Sequence, residues 1–154
     1  IVVRLVGSEM CIRDRHTVDL GNDQAWCEQP IFSFQDRHFA CSFLRVLINR
    51  AHQDPELPDL TDAQIEAMDL LEAIAEESGN ACHFLQERGD VLLVNNWTLL
   101  HRRSAFEDFE LPEEKRCLFR IWLSMPNSRP LDPRFEANFG ATGAGQIRGG
   151  FRTR

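Results

Sequence analysis

The stretch Gly89 to Met125, GDVLLVNNWTLLHRRSAFEDFELPEEKRCLFRIWLSM, decides how the chain is read. Val91 to Val94 is a continuous apolar run that predicts a buried strand arriving at Asn95-Asn96. The chain then runs through Trp97 to His101, passes an acidic loop from Glu107 to Glu114, and returns as a second predicted strand, Arg116 to Met125. Period-two alternation on the return strand sets Arg116, Leu118, Arg120 and Trp122 on one face and Cys117, Phe119, Ile121 and Leu123 on the other. The second set is wholly apolar and is expected to face a core, so the first opens on a cleft and carries both arginines into it. Fourteen residues separate His101 from Arg116, a spacing that aims one imidazole and two guanidinium groups at a common pocket.

Two arginines on the inner face of a strand are expensive to bury unless something anionic meets them. The spacing leaves two readings open. One is a pair of ion pairs to the nearby acids Glu107, Asp108, Glu113 or Glu114. The other is a clamp for a carboxylate ligand, whose two oxygens match the planar guanidinium fork. His101 taken alone reads as a satisfied strand-end histidine. Beside a carboxylate clamp it becomes a candidate ligand for a metal that the same small molecule chelates.

Working outward, Ile31 to Gln35 and His38 to Leu44 are short runs rich in Phe that flank Asp36-Arg37, a hairpin with a two-residue turn whose type stays open because Arg37 lacks the easy positive φ of a glycine. Arg45 to His52, apolar at Val46, Leu47 and Ile48, predicts a short helix before the break between Pro55 and Pro58. The clearest helix follows. Thr61 is an N-cap with Gln64 three residues on, the capping-box arrangement, and Ile65, Met68, Leu71 and Ala75 form an apolar stripe that Leu70 and Ile74 widen. Glu66, Asp69, Glu72 and Glu76 read as its solvated face. Ser78-Gly79-Asn80 ends the helix, Cys82 to Leu85 predicts a strand, and Glu87 to Asp90 a turn.

With 154 residues, 43% apolar, and eleven Phe and three Trp, the chain is large enough for one domain with a core. A net charge of -7 argues against generic nucleic-acid binding, which depends on clustered Lys and Arg, and the basic tail from Arg148 to Arg154 reads as a solvated end. No apolar run approaches the roughly 18 residues of a membrane span. Cys11, Cys27, Cys41, Cys82 and Cys117 show no metal-ligand spacing and read as reduced thiols in a cytoplasmic setting. Residues 1–15 hold no secretory signal, and their GSEMCIRDR portion resembles translated sequencing-adapter read-through, so native sequence is expected to begin near His16, with residues 16–154 as one domain portion. Neither a GxSxG, a P-loop nor a GxGxxG is present, and His38, His52 and His83 stand without partners at ligand spacing.

GDVLLVNNWTLLHRRSAFED followed by PEEKRCLFRIWLSMPNSRPL closely resembles the C-terminal part of the TauD/TfdA family of iron(II)- and 2-oxoglutarate-dependent dioxygenases, and the similarity extends from about Ile31 to Arg148-Gly149-Gly150. An Asn five residues before the distal histidine is matched by Asn96 and His101, and paired arginines on the closing strand by Arg116 and Arg120. The resemblance implies a mainly β chain with a helical insert, part of a double-stranded β-helix or cupin-like jelly roll. It implies an oxidoreductase that hydroxylates a small organic acid or amine with iron(II), 2-oxoglutarate and O₂, the iron held by two histidines and one carboxylate. His101 would be the distal iron ligand, Arg116 would bind the far carboxylate of 2-oxoglutarate, and Arg120 would assist or grip an acidic substrate. The HxD motif that supplies the other two ligands is missing. His16 and Asp19 have the wrong spacing, since side chains three apart on a strand face opposite ways. The expectation is therefore a C-terminal fragment, inactive alone; the alternative is a non-catalytic jelly-roll module whose arginines form internal ion pairs.

Overall fold

The computed structural model describes residues 11–15 and 26–149. The His16-Asp19 pair and the basic residues beyond Gly149 lie outside them. Strands β1 (Cys11–Arg15) and β2 (Trp26–Pro30) pair antiparallel, and after a bend at Ile31 the chain enters β3 (Phe32–Gln35), which pairs antiparallel with β4 (His38–Cys41). Helices α1 (Arg45–Ala51) and α2 (Asp62–Glu76) follow, and near the C-terminus a 3-10 turn, Pro133–Phe135, leads directly into α3 (Glu136–Phe139). No helix among the described residues is long and apolar enough to cross a membrane.

The β3–β4 hairpin forms where the sequence predicts it, and its turn is resolved by the backbone. Asp36 and Arg37 have φ of 48° and 68°, so both central residues are left-handed, as in the type I′ turn whose twist matches that of the paired strands. The match to strand twist outweighs the steric cost to Arg37.

The hairpin is covered on both faces because its side chains alternate. Ile31 and Cys41 join Ile48 of α1 and Met68 of α2 in one buried cluster, with Phe32, Phe39, Phe43, Leu60 and Leu71 packed around it. Ala40 points the other way, into a cluster with Leu131 and Phe135 that Trp97 and Phe139 complete. Burial in the first cluster pushes the Cys41 thiol up to about 11, so it stays protonated and apolar. Cys41, Cys82 and Cys117 are free thiols.

Helix α2 starts as predicted. The Thr61 hydroxyl accepts from the Gln64 amide, and Gln64 Oε1 accepts from the Thr61 amide at 2.9 Å. Its apolar stripe is narrower than expected: Met68 is fully buried, whereas Ile65, Leu70 and Ile74 stay exposed because no second layer covers that flank. Nor is the acidic face merely solvated. Asp69 and Glu72 both reach Arg45, at 2.6 and 3.2 Å, and Glu76 reaches Arg102 at 2.6 Å.

The larger correction concerns the second half of the chain. Cys82–Leu85, Val91–Val94, Trp97–His101 and Arg116–Met125 are extended or turning but belong to no sheet among the described residues. A strand exists only beside a partner that takes its backbone hydrogen bonds, and none of the described residues pairs with these segments. The apolar set expected to face a core is consequently uncovered, with Phe119 94% and Ile121 78% exposed. The described β structure is thus two separate two-stranded sheets rather than a closed jelly roll.

Two outcomes are expected. Arg37→Gly removes left-handed strain and raises stability by about 1 kcal/mol, read as a higher urea midpoint at unchanged slope. At the head of the 3-10 turn, Asp132 accepts from the Arg134 side chain at 2.9 and 2.6 Å and from its amide at 2.9 Å. The Arg134 guanidinium holds the Asp132 carboxyl below its usual range. That contribution is complete above the ordinary Asp value of about 3.9 and drains as pH falls through the lower folded value. Thermal midpoints followed downward from about pH 6 should therefore fall less steeply below about pH 4 in Asp132→Asn than in the native chain.

Candidate active site

The candidate residues sit on two extended segments, and both are fastened to the same aromatic cluster. The first fastening is Trp97. Asn95 Oδ1 accepts from the Trp97 amide at 3.1 Å, and the Asn95 carbonyl accepts from the amides of Thr98 and Leu99, forming a tight turn. The turn places the Trp97 carbonyl 2.8 Å from the Cys41 amide, at the end of β4. It also turns the Trp97 ring against Phe135 and Phe139, with centroids 5.5 and 4.7 Å away in edge-to-face arrangements. His101 follows four residues later.

The second fastening is Trp122, two residues beyond Arg120. A Cβ on Gly149 would stand 3.0 Å from Trp122 Cζ3 and 3.9 Å from Phe139 Cδ1, so the indole lies directly over a backbone that has no room for a side chain. Gly149 has a φ of +63° and donates its amide to the Phe139 carbonyl at 2.8 Å. Beside it the Arg148 amide donates to Ser124 Oγ at 3.3 Å, and the Arg148 guanidinium donates to the carbonyls of Arg129, Thr142 and Gly143. Arg148 is thus an internal tie that closes the C-terminal loop, not part of a solvated tail. Its partial burial pushes its pKa down.

His101, Arg116 and Arg120 are all exposed. His101 makes no hydrogen bond or ion pair with another described residue, and the same holds for Asn96, whose neighbour Asn95 shapes the turn instead. Arg120 lies over the Trp122 ring, 5.3 Å from its centroid, which agrees with their predicted common face. Arg116 lies over Phe106 at 5.3 Å, and Arg103 lies over the same ring at 4.3 Å. Phe106 therefore joins the histidine-bearing segment to the arginine-bearing one. Asp108 helps, accepting from the Arg116 amide at 2.8 Å. Among the described residues neither Arg116 nor Arg120 forms a side-chain ion pair with an acid; both are held by aromatic rings.

Sequence reasoning missed Phe106, Arg103 and Arg148. An aromatic three residues after a basic pair is too common a pattern to announce a shared ring. A glycine directly after Arg148 was the available hint that this arginine sits in a constrained turn.

The family described as "Taurine catabolism dioxygenase TauD, TfdA family" matches residues 10–122, a span that includes Asn96, His101, Arg116 and Arg120. The chain belongs to the TauD/TfdA family. Among curated relatives, FR-33289 synthase of Streptomyces rubellomurinus is 29% identical over 103 residues, which is 64% of this chain and 30% of that protein. The chain therefore spans under a third of the relative's length.

TauD/TfdA membership implies iron, and the donor set tests it. No group of three His, Cys, Asp or Glu among the described residues is arranged to hold a metal ion. His101 has no second ligand beside it, so the described residues alone do not fit a three-ligand iron site.

Gly149→Ala is the sharpest test of the second fastening. It introduces both a disfavoured φ and a clash with Trp122, so a loss of about 1–2 kcal/mol in stability is expected. The indole N–H signal of Trp122 should shift with it in an NMR spectrum.

Proposed function

We propose that this chain is the C-terminal part of an iron(II)- and 2-oxoglutarate-dependent dioxygenase that hydroxylates a small organic acid or amine. The observation that carries this reading is the family match, whose span, residues 10–122, takes in Asn96, His101 and both arginines. In this proposal His101 is one of the iron ligands, and the other two come from a preceding part of the polypeptide, which also supplies the strands that complete the jelly roll. Iron, when bound, supplies oxygen activation.

The remaining roles belong to this chain. Arg116 binds the far carboxylate of 2-oxoglutarate through its planar donor fork. Arg120, stacked on Trp122, assists that grip or takes an acidic group of the substrate. Asn96 belongs to the cosubstrate side of the site, at the turn that leads to His101. The uncovered apolar face of residues 117–123 supports the proposal, because its alternation suits a strand inside a sheet. The alternative, a non-catalytic module with arginines in internal ion pairs, is disfavoured by their lack of acidic partners among the described residues.

Extending the gene upstream should reveal an HxD pair, and the enzyme encoded by the whole gene should form succinate in an iron- and 2-oxoglutarate-dependent reaction. His101→Ala should abolish that activity. Arg116→Ala should raise the 2-oxoglutarate requirement by about tenfold or more. A full-length gene without HxD, or succinate formation untouched by His101→Ala, would overturn the enzyme reading. An unaltered requirement in Arg116→Ala would move the clamp to Arg120.

A further inference from the structure

We infer that Arg103 is a second cationic contact for the oxyanion that Arg116 grips, the two guanidinium groups and the Phe106 ring between them forming one carboxylate-binding site. The inference rests on the proposed role of Arg116 and adds to it a residue from the histidine-bearing segment. Both guanidinium carbons lie close to one ring, at 4.3 Å for Arg103 and 5.3 Å for Arg116. The two positive charges therefore lie within about one Debye length (~10 Å) of each other at moderate salt, and they repel.

The loop between them is rich in acids that might have neutralised the pair. Glu107, Asp108, Glu110, Glu113 and Glu114 all lie there, yet none forms an ion pair with either guanidinium among the described residues. Asp108 is occupied elsewhere, accepting from the main-chain amide of Arg116 at 2.8 Å. That bond fixes the Arg116 backbone and leaves its side-chain donors uncommitted. A guanidinium laid against an aromatic ring still keeps its N–H donors, which lie in the guanidinium plane, for an oxyanion. Two forks of this kind around one ring suit a carboxylate taken by both.

Position strengthens the case. Arg103 is two residues after His101, on the same segment of the chain. Its neighbour Arg102 is drawn off to Glu76 of α2 at 2.6 Å, which separates the roles of the two adjacent arginines. The ligand class that fits is a compact dicarboxylate.

The test is a titration of the 154-residue chain with 2-oxoglutarate, following the arginine Nε–Hε signals by NMR. The signals of Arg103 and Arg116 should move together and saturate. Arg103→Ala should weaken binding roughly tenfold, and Arg103→Lys, which keeps the charge but loses the fork, should recover only part of it. Phe106→Leu should weaken binding as well, with the helical circular dichroism of α2 retained as the check on folding. Native-like binding in Arg103→Ala, with loss in Arg116→Ala, would remove Arg103 from the site and leave the role of Arg116 standing. Binding indifferent to both substitutions would defeat both assignments. A native chain that shows no saturable shift would overturn the two-arginine site, while the His101→Ala activity test continues to judge the enzyme reading by itself.

Discussion

The seat of Trp97 ties the hairpin to the part of the chain that carries its chemistry: the Cys41 amide donates to the Trp97 carbonyl at 2.8 Å, and the indole packs into the cluster around Ala40 and Phe135. The β3–β4 hairpin before it is held by ordinary means, sandwiched between two helices and a C-terminal aromatic cluster. Nearly everything from Ala81 to Met125 depends on where Trp97 and Trp122 are seated. Both indoles rest on the neighbourhood of Phe139, one against its ring and the other over the Gly149 backbone that bonds its carbonyl. A small C-terminal turn thereby sets the origin of both segments that bear the candidate residues. The ring of Phe106 then brings them together again at their far ends.

Features governed by neighbours in sequence were legible from sequence. Thr61 and Gln64 cap α2 because the reciprocal bonds need only a three-residue spacing, and the Asp36-Arg37 turn follows from two flanking runs of strand formers. The turn type was not legible, since a left-handed Arg is disfavoured locally and is enforced by the twist of the paired strands. Strand pairing is the opposite case. The alternation from Arg116 to Leu123 is as clear as any in the chain, but alternation states only which face is apolar, and a sheet requires a partner that the segment itself does not encode. The width of the α2 stripe failed for the same reason, because Ile65, Leu70 and Ile74 are apolar without anything lying over them.

The candidate site was legible as chemistry more than as geometry. His101 and the two arginines fall within the span of the family match, residues 10–122. Their supports were not foreseen. Ion pairs to the acidic neighbours were one of the two readings left open for Arg116 and Arg120, and among the described residues aromatic rings hold both instead. The difference matters chemically. An arginine held by a carboxylate must give up that partner to receive a carboxylate ligand, while one held by a ring need not.

The end of α2 also divides the molecule by tempo. Amides in β3, β4 and α2 are locked into ladders or helical turns, so they open only when their cooperative unit does. From Arg116 to Met125 the one amide engaged among the described residues is that of Arg116, on a side-chain carboxylate. Hydrogen exchange along the chain is therefore expected to be sharply bimodal, slow through the hairpin and α2 and close to the unprotected rate across the arginine-bearing segment, with the changeover just past the end of α2.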